Sequence, residues 1–412
     1  MSEKIENANR LVRELIDYST LASTPEILER LEVLLADFMI CVVSGNRLHR
    51  HDSLLKKDGA IGLAARLASQ SAFEDKDDLD WSAVNHPGSV VFATSFAIAL
   101  EHPQYRDNFL TSALAGMRAS ASAAHFFGPG HRKRWHITAT AGTFGAVTAA
   151  AAAIGLNSAD AQRALHLAGT NMGGLGQVSR ELQGTPRFNR AAAAALGVTS
   201  AFAAYELTPA IENLWDGDRG LLEVFDLAGT ITDGALLKDG ISTVRVRTFP
   251  ATGFIQSALL GVTQLSQQHA TAELKKLTVT VNSGVFPILN DPKKERWWNL
   301  ALNSAAAWAS KNPMVLTPAP QIEPLVTAVG GDIPLGSAHI RVETSSGTTE
   351  LQIDHAPGLH LFTPVESEWR EQKWSSMVGS DFTSIFACAK KVIRHQADES
   401  TWSEINSFLR EG

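Results

Sequence analysis

The chain has 412 residues, of which 44% are hydrophobic and 19% charged, and its formal net charge is −7 at pH 7. This length predicts two domains, the composition is typical of a soluble globular protein, and the negative charge argues against general nucleic-acid binding. The two cysteines, Cys41 and Cys388, are too few for a disulfide scaffold. The polar N-terminus MSEKIENANR has no signal-peptide pattern, so we expect a cytoplasmic protein.

The N-terminal part of the chain has the periodicity of amphipathic helices. Residues 5–18 and 25–45 carry apolar residues at helical spacing, and Thr24-Pro25 is a favourable helix start because Thr can cap and Pro fits the first turn. Residues 90–129 contain two further helical runs, and the sequence FFGPG breaks the second of them. The first half of the chain is therefore predicted to be helical.

Two segments contain residue types that can bind metals. His49 and His51 do not share a helical face and have no further ligand nearby, so a metal site is not expected there. The next segment holds four aspartates, Asp75, Asp77, Asp78 and Asp80. It lacks the glycine and the terminal glutamate of an EF-hand, and a solvated acidic turn is the simplest interpretation. The tripeptide His86-Pro87-Gly88 follows before an apolar helical run.

Residues 131–156, HRKRWHITATAGTFGAVTAAAAAIGL, are the most distinctive stretch of the sequence. After His136 the run has no charge until Asp160 and consists mainly of small residues, which predicts a buried helix with His136 at or just before its first turn. The unpaired backbone N–H groups and the positive dipole end there favour an anion. A surface turn leading into a core helix is the alternative. A membrane span is disfavoured because Leu, Ile, Phe and Val are few.

The pattern W-H-x-T-x-T-x-G-T-F-G-A at residues 135–146 resembles the MmgE/PrpD family, which includes 2-methylcitrate dehydratase, cis-aconitate decarboxylase and iminodisuccinate epimerase. Asp75-Lys76-Asp77-Asp78 followed by His86-Pro87-Gly88 matches a second family pattern. The resemblance implies a large helical domain, a smaller α+β lid domain and a homodimer, for which the small apolar residues of 191–204 offer flat helix faces. It also implies that the two histidine motifs line a substrate pocket.

The chain departs from the family in three motifs that usually carry chemistry. Where relatives show T-K-x-L-H, this sequence has Pro186 and Asn189 in place of the lysine and the histidine. Arg247 stands where the family has the lysine of K-P-Y-P, and residues 296–304 contain no tyrosine. Arg187 or Arg190 can replace the lost charge, but a guanidinium stays protonated and cannot transfer a proton as lysine does.

The pattern changes near residue 240 from helical to strand-like. Four segments alternate or are β-branched: 244–249, 276–281, 339–344 and 350–354. Ser345-Ser346-Gly347 makes the last two a hairpin. Helices are predicted between them at about 253–269, 294–310 and 366–376, and residues 380–411 are helical again. The predicted fold is mostly α, with a helical domain of residues 1–235 and 375–412 and an α+β lid domain of residues 236–374.

The resemblance and the titration properties of the side chains together predict the site. His136 is the expected base, His86 the expected acid, and Asp75 the carboxylate that orients one of them. Three cations are expected to bind the substrate carboxylates: Arg187, Arg247 and Lys133. No metal or organic cofactor is implied, and neither a nucleic acid nor a membrane is an expected partner.

The predicted activity is that of a lyase, either a dehydratase or a decarboxylase, that acts on a small anionic carboxylic acid by removing a proton next to a carboxylate. An epimerase or isomerase of a small dicarboxylate is the first alternative. A member that keeps the fold as a non-catalytic binding protein is the second.

Overall fold

The computed structural model describes residues 2–48, 59–73, 75–178, 185–231, 239–293 and 296–411. The chain forms two compact units, one of Met1–Val244 with Met377–Gly412 and one of Arg245–Ser376. The first unit is helical and the second combines helices with a sheet, so the predicted fold class, mostly α with a smaller α+β domain, is confirmed. His49 and His51 lie outside the described residues.

The first unit is built from long helices with short connections. In chain order, the described α-helices of its N-terminal segment Met1–Val244 are α1 (Ser2–Leu15), α2 (Pro25–Leu48), α3 (Ala60–Ser71), α4 (Pro87–Glu101), α5 (Phe109–Arg132), α6 (Ile137–Ile154), α7 (Ser158–Gly169), α8 (Thr185–Tyr205) and α9 (Leu221–Val224). A two-residue strand, β1 (Leu79–Asp80), lies between α3 and α4. The predicted break at FFGPG is present as a kink at Gly128 within α5.

Helix α6 is the centre of the first unit. Every residue from Ile137 to Ile154 is buried, as the small-residue composition predicts. Neighbouring helices α5, α4 and α8 pack against it. Their closeness depends on glycine: a Cβ at Gly145 would lie 2.8 Å from the Ser120 Cβ of α5, and one at Gly197 of α8 would lie 2.6 Å from the Ala146 backbone carbon. Helix α6 is therefore held rigidly at both its sides, which fixes the position of its first turn.

The second unit contains a four-stranded sheet with the order β4-β3-β5-β6. Its strands are β3 (Leu274–Asn282), β4 (Val326–Gly331), β5 (Ala338–Thr344) and β6 (Gly347–Ile353), and a short strand β2 (Val244–Arg245) precedes them. Strands β3 and β4 are parallel, whereas β3–β5 and β5–β6 are antiparallel. The predicted hairpin is present, because Thr344 pairs with Gly347.

The remaining α-helices lie in the second unit and in the C-terminal segment Met377–Gly412 of the first. They are α10 (Gln256–Gln268), α11 (Phe286–Leu289), α12 (Leu300–Ser310), α13 (Pro364–Val378), α14 (Asp381–Ile393) and α15 (Glu399–Glu411). In the part of the chain that the structure describes, no helix has both the length and the apolar character that a membrane crossing requires.

Candidate functional site

His136 occupies the position immediately before helix α6. Its backbone is extended, its side chain makes no capping bond, and its N–H donates to the carbonyl oxygen of Gly174 at 2.9 Å. Trp135 forms an isolated bridge with Leu175, so the segment around Gly174 runs beside the start of the helix. Gly174 has φ of 122°, and a Cβ there would lie 2.8 Å from the Cβ of Ala139. A glycine is therefore required where the two segments meet.

His86 occupies the corresponding position before helix α4. A tight turn leads to it, closed by two backbone hydrogen bonds of 2.8 and 3.1 Å between Asp80 and Asn85. The Asn85 Oδ1 then accepts from the His86 N–H at 2.8 Å, and Pro87 starts the helix with the φ that a first turn needs. The same N–H also approaches the Thr138 Oγ1 of α6 at 3.3 Å. The starts of α4 and α6, each preceded by a histidine, consequently lie side by side.

A buried ion pair lies next to the His86 ring. Arg190, from the first turns of α8, donates to the Asp77 carboxylate, and the two residues are only 3% and 1% exposed. The Asp77 Oδ2 is also 3.7 Å from the His86 Nδ1. A second buried carboxylate, Asp78, accepts from the Gly88 N–H at 2.8 Å. Charges this deeply buried persist only when they are paired or hydrogen-bonded. The positions of Asp77, Asp78 and Arg190 are therefore closely defined by their partners.

Helix α8 also reaches the second histidine. The Asn189 Nδ2 lies 3.3 Å from the His136 Nδ1. Asn189 and Arg190 are consecutive residues, and they contact His136 and Asp77 respectively. One turn of α8 therefore joins the two histidine-bearing segments into a single site.

Two groups of the site, His136 and Asp78, have pKa values far from their ordinary values. Burial, reinforced by the positive charge of Arg190 and only partly opposed by Asp77, lowers the pKa of His136 to about 3. Burial is the largest cause of the lowered His136 pKa. Burial and the charge of Asp77 raise the pKa of Asp78 to about 7, against the hydrogen bond from Gly88. His136 is accordingly neutral at physiological pH, and Asp78 titrates close to it.

The acidic residue beside His86 differs from the one that the sequence analysis selected. Asp75 follows α3 with φ of 52° and is half-buried, whereas the carboxylate 3.7 Å from the His86 ring belongs to Asp77. Asp77 is therefore the carboxylate near His86, and the orienting role expected of Asp75 stays a prediction. The spacing could not distinguish the two residues, because the turn at Asp75 decides which side chains point inwards.

The three cations expected to bind substrate lie in different surroundings. The Arg187 guanidinium lies 4.9 Å above the centre of the Phe73 ring. Lys133 is exposed and follows the last residue of α5. Arg247 belongs to the second unit, where it is buried. Their role in substrate binding stays a prediction, and the guanidinium that the geometry places among the site residues is that of Arg190.

In the sequence, Asn189 was visible only as a departure from the family pattern, and Arg190 only as a candidate to replace the lost charge. Asn189 stands at the position of a family histidine, and this substitution was the available signal. Within the described ranges, no group of three or more His, Cys, Asp or Glu side chains is arranged to hold a metal ion.

The fold and the site define a class of protein: a small-residue helical bundle with two histidines, a buried carboxylate–guanidinium pair and an asparagine at adjoining helix starts. The family model of the MmgE/PrpD N-terminal domain matches residues 60–231, which contain all of these residues. This family includes lyases and isomerases. No match to a curated protein was found.

Proposed function

We propose that the protein is a cofactor-independent lyase that removes a proton from the carbon next to a carboxylate of a small carboxylic acid. The observation that carries this proposal is the pair of imidazoles before α4 and α6, joined through the first turns of α8. One imidazole can accept a proton near neutral pH while the other, which stays neutral, donates a hydrogen bond to the substrate, as proton removal requires.

The surroundings of these imidazoles suit an anionic substrate. Two helix starts lie side by side, and the positive ends of their dipoles favour a carboxylate between them. Arg190 adds a buried positive charge that is already shared with Asp77. A substrate carboxylate stabilised in this way accepts the electron pair that remains when the neighbouring C–H bond breaks.

The steps of an elimination then balance without a cofactor. The C–H proton passes to an imidazole, and the C–H electron pair moves into the substrate carboxylate. The pair returns to form a C=C bond while a β-hydroxyl leaves with its bonding electrons and takes up one proton as water. In a decarboxylase, the C–C bond to a carboxylate breaks instead, CO₂ leaves without the bonding pair, and the carbon that keeps this pair takes up a proton from the site.

An epimerase of a small dicarboxylate is the second candidate, and one observation favours it. The two imidazoles come from different helices, α4 and α6, so they can approach a bound carbon from different directions. An acid and a base on opposite faces of the carbon invert its configuration, because the proton leaves one face and returns to the other.

Proton abstraction is the step shared by both candidates, and hydrogen exchange in D₂O measures it. We would incubate the purified protein with citrate-like and aspartate-like acids and follow the loss of the α-proton signal by NMR. Exchange or product formation with at least one acid supports the proposal, and product identity separates elimination from epimerisation. If no acid exchanges or reacts, the protein is a binding member of the family.

A matched pair of variants ties any exchange to the site. His136→Gln should abolish most of it, whereas His355→Gln, at an exposed position of the second unit, should retain the wild-type rate. Equal rates in both variants would place the activity elsewhere in the protein or in a contaminant.

A further inference from the structure

The hydrogen bonds of the site fix which ring nitrogen of His86 carries a proton. Its Nδ1 lies 2.6 Å from the backbone carbonyl oxygen of Asp78. A carbonyl oxygen can only accept a hydrogen bond, so Nδ1 must be the protonated nitrogen. The Asp77 carboxylate, 3.7 Å from the same nitrogen, favours that proton further. In neutral His86 the lone pair is consequently on Nε2, which makes Nε2 the basic atom.

The opposite arrangement applies to His136. Its Nδ1 faces the Asn189 Nδ2 at 3.3 Å, and an amide nitrogen can only donate. The lone pair of His136 is therefore on Nδ1, and the ring proton is on Nε2. The orientation of the Asn189 amide determines this tautomer, since the amide oxygen in the same place would require a proton on Nδ1.

We propose that Asn189 is a positioning residue that holds His136 as a neutral hydrogen-bond donor through Nε2–H and leaves proton abstraction to the Nε2 of His86. The assignment rests on the proposed function and reverses the roles predicted from the sequence, in which His136 was the base and His86 the acid. In the step itself, the substrate C–H bond breaks, its proton forms an N–H bond at His86, and its electron pair moves into the carboxylate that His136 polarises.

The charges around the two rings agree with this division. Burial and the positive charge of Arg190 disfavour a second proton on His136, so its ring stays a neutral donor, whereas the Asp77 carboxylate lies 3.7 Å from the protonated nitrogen of His86. A neutral imidazole at a helix start can polarise an oxygen without giving up its proton. Asparagine at position 189 keeps this arrangement across neutral pH because, unlike the histidine of the family pattern, it does not titrate.

Nitrogen NMR of histidine-labelled protein tests the assignment without substrate, because protonated and unprotonated ring nitrogens have separate chemical-shift ranges. The His136 and His86 signals are identified by their disappearance in His136→Gln and His86→Gln. At pH 8 we expect His136 to be protonated on Nε2 and His86 on Nδ1. A wild-type spectrum in which His136 is protonated on Nδ1 would overturn the proposal even if the protein proves to be a lyase.

A variant then tests whether Asn189 determines the tautomer of His136. In Asn189→Asp the carboxylate can only accept, so the His136 proton should move to Nδ1 and kcat should fall about 10²-fold with a smaller change in KM. The matched control Asn290→Asp, at an exposed position of the second unit, should leave both spectrum and kcat unchanged. An unaltered His136 tautomer in folded Asn189→Asp would refute the positioning role. The wild-type spectrum remains decisive where this variant does not fold.

Discussion

Arg190 and Asp77 come from segments more than one hundred residues apart, and they form an ion pair that is almost completely excluded from water. Asp77 also lies near the ring of His86, and the residue before Arg190 contacts His136. The pair therefore connects the acidic segment, two histidine-bearing helix starts and α8. Its integrity determines both the stability of the first unit and the shape of the site.

Removal of one partner of this pair should be strongly destabilising. Arg190→Met leaves the Asp77 charge buried and uncompensated, which typically lowers the free energy of unfolding by about 3–5 kcal/mol. Asp77→Asn with Arg190→Met should recover part of that loss, because neither charge then remains. Urea unfolding gives the free energy of unfolding of Arg190→Met, of the double variant and of a control. The control is Arg134→Gln, which breaks the exposed pair with Asp226 and should lose about 0–1 kcal/mol. Similar losses in Arg190→Met and the control would contradict the role of burial.

Gly197→Ala should destabilise the protein through overpacking between α8 and α6. The new Cβ would lie 2.6 Å from the Ala146 backbone carbon, where no side chain can move aside, so we expect a loss of about 1–3 kcal/mol in the free energy of unfolding. Gly173→Ala is the matched control because its Cβ would meet nothing within 4 Å. Its effect should stay within about 0.5 kcal/mol. Equal stability of the two variants would show that α8 can move away from α6.

The raised pKa of Asp78 predicts a pH-dependent gain in stability from Asp78→Asn. The groups that set this pKa are Asp77, Arg190, Asp37 and the Gly88 N–H. Because the carboxyl goes from its ordinary pKa of 3.8 to about 7 on folding, the folded state holds the proton more tightly. The wild-type contribution of this group therefore falls as pH rises from about 4 to 7.

Asn cannot titrate and can still accept from Gly88, so the advantage of Asp78→Asn should grow over that window and level off above it. Thermal unfolding of both proteins at pH 5, 6, 7 and 8 measures the difference. A difference that is constant across these values would show that Asp78 ionises at its ordinary pKa.

The sequence predicted the helix that organises the site because its composition leaves few alternatives. A run of Ala, Gly and Thr from Ile137 to Ile154 can be buried only where neighbours approach closely, and His136 is the last polar side chain before it. Strand β4 was missed, since VTAVGG contains two glycines and pairs in parallel with a strand almost fifty residues earlier. Short-range patterns carry no information about such a partner.

The site could be predicted only in part for a similar reason. Both histidines follow from local motifs that begin helices, and the structure brings their segments together. The choice between Asp75 and Asp77 depends on one left-handed residue, and the contact of Asn189 depends on how α8 packs on α6. Asn189 looked like the loss of a catalytic group, whereas its position beside His136 gives it a contact that only tertiary structure specifies.

The central claim is that removal of a proton from a carbon next to a carboxylate depends on both histidines, and α-proton exchange in D₂O tests it most directly. With the acid that the wild-type protein exchanges fastest, His86→Gln and His136→Gln should each lower the exchange rate by about 10²–10⁴-fold, the usual range for loss of an acid–base group. Both variants must keep the wild-type circular dichroism spectrum and cooperative thermal unfolding. Wild-type exchange rates in both folded variants would contradict the account, because proton transfer would then depend on neither imidazole.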